Sequence, residues 1–151
     1  MDRKALIWTF LFLANFIHLG HLNPAVGFSA LLTHNMYLGN KQAVKYDKVI
    51  TNYGNGYDKW SGHFKAPMKG LYVFSCSVMA INKNYINIAL VKNGQWVATI
   101  YSNPSYFDQA SGTVVVALKK GDRVWARQAD GGRHVFGNYN LFTGYLISKQ
   151  I

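Results

Sequence analysis

The side chains of this sequence best able to do chemistry are its cations. Lysine and arginine number 16 against 6 acidic residues, which gives a formal net charge of +10. An excess of this size attracts anionic polymers, such as anionic polysaccharides, lipopolysaccharide or teichoic acid. The candidate ligand-binding residues are Lys119, Lys120, Arg123, Arg127, Arg133 and His134. The alternative for each residue taken alone is a charged face that keeps the protein in solution.

The sequence does not predict an enzyme. It contains no glutamate and none of the motifs G-x-S-x-G, H-E-x-x-H, paired C-x-x-C or G-x-x-x-x-G-K-[ST]. Asp58 and His63 are close in sequence, but we favour a loop carboxylate beside a surface histidine over an acid–base pair. Cys76 falls in an apolar strand, where burial raises the pKa of a thiol and leaves it inert. Specific nucleic-acid binding is not expected either, because no nucleic-acid motif accompanies the charge.

The first residues have the composition of a secretory signal peptide. Arg3 and Lys4 precede an apolar run at residues 5–17. A run of this length is too short for a helix that crosses a bilayer core of about 30 Å. We therefore predict a signal peptide at residues 1–20, with cleavage between 20 and 25, a secreted protein without a transmembrane span, and one domain at 25–151. An uncleaved anchor and a buried N-terminal helix are the alternatives.

The remainder of the chain has the alternation of short β-strands. The Asn93-Gly94 pair accepts positive φ at both positions and predicts a tight hairpin turn. A second hairpin is expected around the turn at 119–122, and a loop at 53–58 is indicated by its glycine and asparagine content. Arg133 and His134 are expected in a loop after Gly131-Gly132. The predicted strands cover residues 26–33, 44–51, 71–80, 86–90, 96–100, 113–118, 123–128 and 141–147.

One spaced set of aromatic and glycine residues dominates the middle of the chain. Phe64 is followed by Gly70, Tyr72 and Phe74, in a strand that is apolar on both faces and so predicted to be buried. Asn52 and Tyr57 precede this set at fixed distances. The pattern resembles that of the C1q globular-head domain, a jelly roll of the tumour-necrosis-factor type. Two positions depart from the family pattern: Tyr46 stands where Phe is usual, and Cys76 where Phe or Tyr is usual.

The C-terminal half is similar to the same family in residues 108–115, 119–125 and 142–147. The resemblance extends from about residue 25 to residue 147. It implies an all-β, ten-stranded jelly-roll sandwich that forms a homotrimer. Phe74 and Trp125 are expected in its core. The sequence has no Gly-X-Y repeat, so a collagen stalk is not expected.

The resemblance also implies a place for calcium. Asp108 stands where related heads have a calcium-binding Asp or Gln, and Gln109 lies beside it. Residues 101–105 supply no second carboxylate, although calcium usually takes several. Asp108 is therefore a weak metal candidate whose alternative is a turn residue, and no other cofactor is expected.

The function implied by charge and family together is that of a secreted pattern-recognition lectin of innate immunity. An extracellular-matrix or biomineral scaffold is one alternative. A ligand of a cell-surface receptor is the other.

Overall fold

The computed structural model describes residues 24–81, 84–105 and 107–151. The predicted signal peptide lies outside these residues. Within them the chain forms strands and no helix. The strands are β1 (Gly27–Leu32), β2 (Met36–Leu38), β3 (Lys48–Tyr53), β4 (Tyr57–Asp58), β5 (His63–Lys65), β6 (Gly70–Met79), β7 (Ile86–Lys92), β8 (Gln95–Ser102), β9 (Gln109–Leu118), β10 (Arg123–Gln128), β11 (Arg133–Val135) and β12 (Asn140–Ser148).

Ten of these strands form two five-stranded antiparallel sheets. The first sheet has the order β3-β1-β12-β6-β9, and the second has the order β4-β5-β10-β7-β8. The short strands β2 and β11 pair separately. Strands distant in the chain are neighbours in both sheets, as in a jelly roll. The predicted ten-stranded jelly-roll sandwich is confirmed.

Aromatic side chains fill the space between the two sheets. Phe28 lies at the centre: its ring stacks on Tyr57 with 4.7 Å between centroids and meets Phe142 edge to face at 4.9 Å. Phe64 and Phe74 complete this cluster, and both are fully buried. Offset and edge-to-face contacts between such rings add to the stabilisation from buried area. The core position predicted for Phe74 is confirmed.

The spacing of the central motif has a geometric cause. A Cβ atom on Gly70 would lie 2.4 Å from Leu146 Cδ1 and 2.6 Å from the Ser148 carbonyl oxygen, so no larger residue fits. The Asn52 side chain accepts from the Tyr57 backbone N–H at 3.1 Å and donates to the Tyr57 carbonyl at 2.9 Å. Asn52 therefore closes the loop that delivers Tyr57 to the core.

One predicted hairpin is confirmed and the other is wrong. Asn93 and Gly94 have φ of 51° and 85°, and they join β7 to its neighbour β8. The turn at 119–122 does reverse the chain, but β9 pairs with β6 in the first sheet and β10 pairs with β5 and β7 in the second. The turn is thus a corner between sheets. Glycine and aspartate specify a local reversal, but they carry no information about which strand will be the partner.

Five smaller expectations are also corrected. The strand expected from residue 44 begins at Lys48, since Val44 and Tyr46 are buried in an irregular segment before it. Residues 57–58 are a short strand rather than loop, and Arg133 and His134 lie in β11. The strand β6 was expected to be buried on both faces, but Leu71 and Val73 on its outer face are only half-buried. Trp125 is outside the core, because strand alternation buries its neighbours Val124 and Ala126 instead.

Candidate functional site

The outer face of the second sheet combines aromatic and cationic side chains. Since alternate residues of β10 are buried, Arg123, Trp125 and Arg127 share the outer face. Trp125 lies opposite His63 of β5, and the two rings stack with 4.2 Å between centroids. On the other side, Val91 of β7 separates Trp125 from Trp96 of β8, which is 64% exposed. The His63–Trp125 stack and Trp96 thus lie on the same face with Val91 between them, and Arg123 and Arg127 lie on either side of Trp125.

Lys119 and Lys120 lie at the corner between the sheets, and both are exposed. Asp122 organises this corner: its carboxylate accepts from Asn93 Nδ2 at 2.9 Å, from the Lys119 backbone N–H at 2.9 Å and forms a 3.3 Å ion pair with Lys92. The hydrogen bond from Asn93, followed by that from Lys119, lowers the pKa of Asp122. The corner is consequently fastened to the neighbouring β7–β8 turn.

Arg133 and His134 lie beyond the opposite end of β10, in the small two-stranded sheet. The Arg133 guanidinium sits 4.3 Å from the centre of the Tyr85 ring and donates to the Tyr85 hydroxyl. His134 contacts the edge of Tyr37 at 5.1 Å between centroids. Arg133 is thus already engaged within its own protomer.

The six predicted site residues therefore do not form one cluster. Arg123 and Gln128 at the two ends of β10 are about 17 Å apart at the usual strand rise. Lys119, Lys120 and Arg123 lie toward one end of the strand, and Arg133 and His134 lie beyond the other. Arg127 shares the face of Arg123 but is only partly exposed.

Sequence reasoning missed a cation that the fold adds to this surface. Lys65 of β5 lies directly opposite Arg123 of β10. Together with His63 and Asp58, these two side chains line a cleft of about 210 Å³. The alternation around buried Phe64 places His63 and Lys65 on one outward face. Only the pairing of β5 with β10, which the sequence does not reveal, brings Arg123 to them.

Asp58 and His63, which are close in sequence, are also close in space, because they are register partners on β4 and β5. Burial, and then the positive charge of Arg123, lower the pKa of His63. The Asp58 carboxylate accepts from the Trp60 backbone N–H at 3.0 Å, and hydrogen bonding to Ser61 lowers its pKa. Ser61 lines the same cleft, but its hydroxyl donates to the Asp58 carbonyl oxygen at 3.5 Å and accepts from the His63 backbone N–H at 3.3 Å, an arrangement that differs from the side-chain relay of a catalytic triad.

Asp108 closes a loop. Its side chain accepts from the Asn103 backbone N–H, and its carbonyl accepts from the Ser102 hydroxyl at 2.7 Å. Calcium sites usually contain several carboxylates. In the described ranges, no group of three His, Cys, Asp or Glu side chains lies close enough to hold a metal ion. Asp108 is thus positioned by its turn.

The outer face of the first sheet is chemically different. One apolar row runs across all five strands through Tyr53, Gly27, Tyr145, Val73 and Val115. Tyr53, Tyr145 and Val115 are 68%, 52% and 59% exposed in the single protomer. Continuous exposed apolar surface of this kind marks an interaction surface.

A row of hydroxyl side chains runs parallel to this apolar row. Its members, in sheet order, are Thr51, Ser29, Thr143, Ser75 and Thr113. Ser29 and Thr143 are 3.1 Å apart between hydroxyl oxygens, and Ser75 and Thr113 are 2.8 Å apart. Four of the five hydroxyls thus pair with one another within the sheet.

The fold is a β-sandwich of two five-stranded sheets, and the comparisons with known proteins identify its family. A family model described as the C1q domain matches residues 27–147, and the chain belongs to the C1q-domain family. The C1q domain is a non-enzymatic domain, as the sequence predicted. Within the described residues, no helix is long and apolar enough to span a membrane.

Curated relatives carry the same domain within longer chains. Complement C1q tumor necrosis factor-related protein 2 of Homo sapiens is 35% identical over 134 residues, covering 85% of this chain and 46% of that protein. Complement C1q and tumor necrosis factor-related protein 9A of Homo sapiens is 35% identical over 113 residues, or 69% and 33% of the two chains. This chain thus spans less than half the length of these relatives.

Solved structures show the same fold at low sequence identity. The Eiger TNF of S. frugiperda superposes with a TM-score of 0.72 at 12% identity, covering 85% of this chain and 96% of that one. The globular domain of zebrafish complement 1qA gives 0.66 at 21% identity, with 82% and 98% covered. The jelly roll is therefore shared with both the C1q and the TNF branches.

Proposed function

We propose that this protein is a secreted, homotrimeric lectin of innate immunity that binds anionic glycans on microbial surfaces. The observation that carries the proposal is the outer face of the second sheet, where Arg123 and Arg127 flank Trp125. Cations beside exposed aromatic rings suit anionic sugars, since the charge attracts the acid group and the rings contact apolar faces of the sugar. The net charge of +10 favours the same class of ligand.

Self-association is supported by the apolar row on the opposite sheet. Three protomers that buried Tyr53, Tyr145 and Val115 against one another would leave the basic second sheets outward on all sides. Three modest sites on one trimer could then act together on a repetitive polymer. Avidity of this kind raises the apparent affinity well above that of each site, through effective concentration.

The test is an array of bacterial polymers and glycans probed with the purified secreted protein. We expect binding to lipopolysaccharide, teichoic acid and acidic polysaccharides but not to neutral glycans. Exposed charges are screened over about 8 Å at physiological ionic strength and over about 4 Å at 0.5 M salt, so binding should fall steeply between these conditions. Binding confined to neutral glycans, or binding that persists at high salt, would contradict the proposal.

Calcium at Asp108 remains a subordinate proposal. The same array repeated with a chelator tests it, and we expect chelation to weaken binding less than salt does. If chelation abolished binding while 0.5 M salt did not, Asp108 would be the centre of the site and the electrostatic account would fail.

A second candidate function is that of a ligand for a cell-surface receptor. It is favoured by relatives named as tumor necrosis factor-related proteins and by the structural likeness to a TNF. Saturable, protein-dependent binding to cells stripped of surface glycans would support this candidate over the lectin. A matrix or biomineral scaffold would instead show binding to acidic matrix polysaccharide and none to microbial polymers.

A further inference from the structure

Two cations stand directly opposite one another on neighbouring strands of the second sheet. Lys65 of β5 and Arg123 of β10 are register partners, and both side chains are exposed on the outer face. Directly opposed residues have Cβ atoms about 5 Å apart, and like charges in that position destabilise a sheet. This arrangement suggests a role that outweighs its electrostatic disadvantage.

The nearby acids do not neutralise this pair. Asp122 precedes Arg123 in the chain, but its carboxylate is engaged with Asn93 and Lys92. Asp58 faces the register position of His63 and accepts from the Trp60 backbone. Within the described ranges, no carboxylate oxygen lies within 4.0 Å of a Lys65 or Arg123 side-chain nitrogen.

A third titratable nitrogen group borders the same space. His63 lies next to Lys65 on the outward face of β5, and its ring is held by stacking on Trp125 at an interplanar angle of 20°. Asp58 faces it from β4, and Arg123 faces it from β10. Burial, followed by the charge of Arg123, lowers the pKa of His63 and outweighs the opposing charge of Asp58, so that protonation is disfavoured in the ligand-free protein.

These groups enclose a cleft of about 210 Å³, which Gly56 and Ser61 complete. A cleft of that size has room for several waters, and therefore for one tetrahedral oxyanion. The turn that follows β4 supplies Ser61 and also carries Trp60, which is 76% exposed. A planar guanidinium forms two parallel hydrogen bonds to such an oxyanion, and a lysine adds a point charge.

We propose that the Lys65–Arg123–His63 cleft is a specific site for a sulfate or phosphate ester group of the glycan. The inference rests on the proposed lectin function and refines it, because it assigns anion selectivity to this cleft rather than to the exposed lysines of the corner. The bound oxyanion supplies the counter-charge that the cation pair lacks. Lys119 and Lys120 then contribute only to long-range attraction.

The cleft also couples ligand binding to proton uptake. An oxyanion between Lys65 and Arg123 favours the protonated form of His63, and this raises the pKa of His63 toward its usual value of 6.5 or above. Affinity for the oxyanion therefore increases as the pH falls from about 8 to about 6. The carboxylate of Asp58 is ionised throughout that range and does not contribute to the change.

The test compares two double variants that remove the same amount of charge from the full secreted protein. K65Q/R123Q alters the cleft, and K119Q/K120Q is the matched control at the corner. The probes are a heparin-type sulfated oligosaccharide, lipoteichoic acid with its phosphodiesters, and polygalacturonate as the carboxylate comparison. We expect K65Q/R123Q to bind the sulfated or phosphorylated probe at least about tenfold more weakly, while K119Q/K120Q loses less than about threefold. The probe that wild type prefers distinguishes sulfate from phosphate.

Equal losses of binding in the two double variants would show that the cleft is not a specific site. The proposed lectin function would still hold, with binding by nonspecific electrostatic attraction. If wild-type protein binds none of the polymers, the proposed function fails, and the cleft is judged separately by NMR of the His63 ring during titration with inorganic sulfate. A rise in the pKa of His63 on sulfate addition, absent in K65Q/R123Q, supports the site. An unchanged pKa of His63 in wild type at saturating sulfate overturns it.

Discussion

The hydroxyl oxygen of Tyr46 lies 3.1 Å from the sulfur of Cys76, and both side chains are fully buried. These are the two positions at which the central pattern departs from its family. The structure shows that the two departures occur in contact: the hydroxyl of the one is satisfied by the thiol of the other. Burial raises the pKa of Cys76 to about 12 and raises that of Tyr46 as well, so neither group ionises at neutral pH.

Removal of the Tyr46 hydroxyl should have a modest effect on stability. Y46F deletes one buried hydrogen bond without changing the ring, and the free energy of unfolding should fall by about 0.5–1.5 kcal/mol. Urea unfolding measures this loss, with Y101F as the control at an exposed tyrosine.

In the native protein, Cys76 should also resist a thiol reagent at pH 8 and react only when unfolded. Rapid modification of native protein would show that the strand β6 opens readily.

The two aromatic residues that the sequence assigned to the core should behave differently. F74A removes a fully buried ring and should cost about 3–5 kcal/mol of stability. W125A truncates a ring on the outer face, so it should cost clearly less and should instead weaken glycan binding. Thermal unfolding and a binding assay on both variants separate the two effects. If the two substitutions destabilised the protein equally, Trp125 would be a core residue after all.

Acid should loosen the corner between the sheets through Asp122. Because the pKa of Asp122 is lowered in the folded state, its contribution is fully present above the usual value of 3.8 and is lost as the pH falls through the lowered value. D122N should therefore be less stable than wild type at pH 7, and the gap should narrow toward about pH 2. Melting temperature as a function of pH measures the gap. A constant difference would show that charge at this position is irrelevant.

A charge in the apolar row should prevent assembly. V115D places a carboxylate on the edge strand β9, at one end of the apolar row of the first sheet, where self-association would bury it unpaired. Light scattering should show trimer for wild type and monomer for V115D at micromolar concentration. The matched control is W96D, which changes an equally exposed residue on the second sheet and should stay trimeric. Monomeric wild-type protein would contradict the proposed assembly.

The sequence predicted features whose cause is local. Asn93-Gly94 determined its own turn by its backbone conformations, and the alternation around Phe74 identified a core strand. The sequence could not predict features that depend on which strands pair with one another. Lys65 and Arg123 are 58 positions apart (123 − 65) and meet only because β5 pairs with β10. For the same reason, the corner at 119–122 resembled a hairpin, and Trp125 resembled a core residue.

Because Lys65 and Arg123 lie directly opposite one another, selection for stability and selection for ligand binding favour different residues at these two positions. Natural proteins seldom occupy their stability optimum, and exchanges that relieve like-charge contacts commonly stabilise them. A screen for heat resistance alone should therefore recover neutral or acidic residues at position 65 or 123. Each such variant would gain robustness and lose its ligand, so that the sequence found at these two strands records a compromise in favour of recognition.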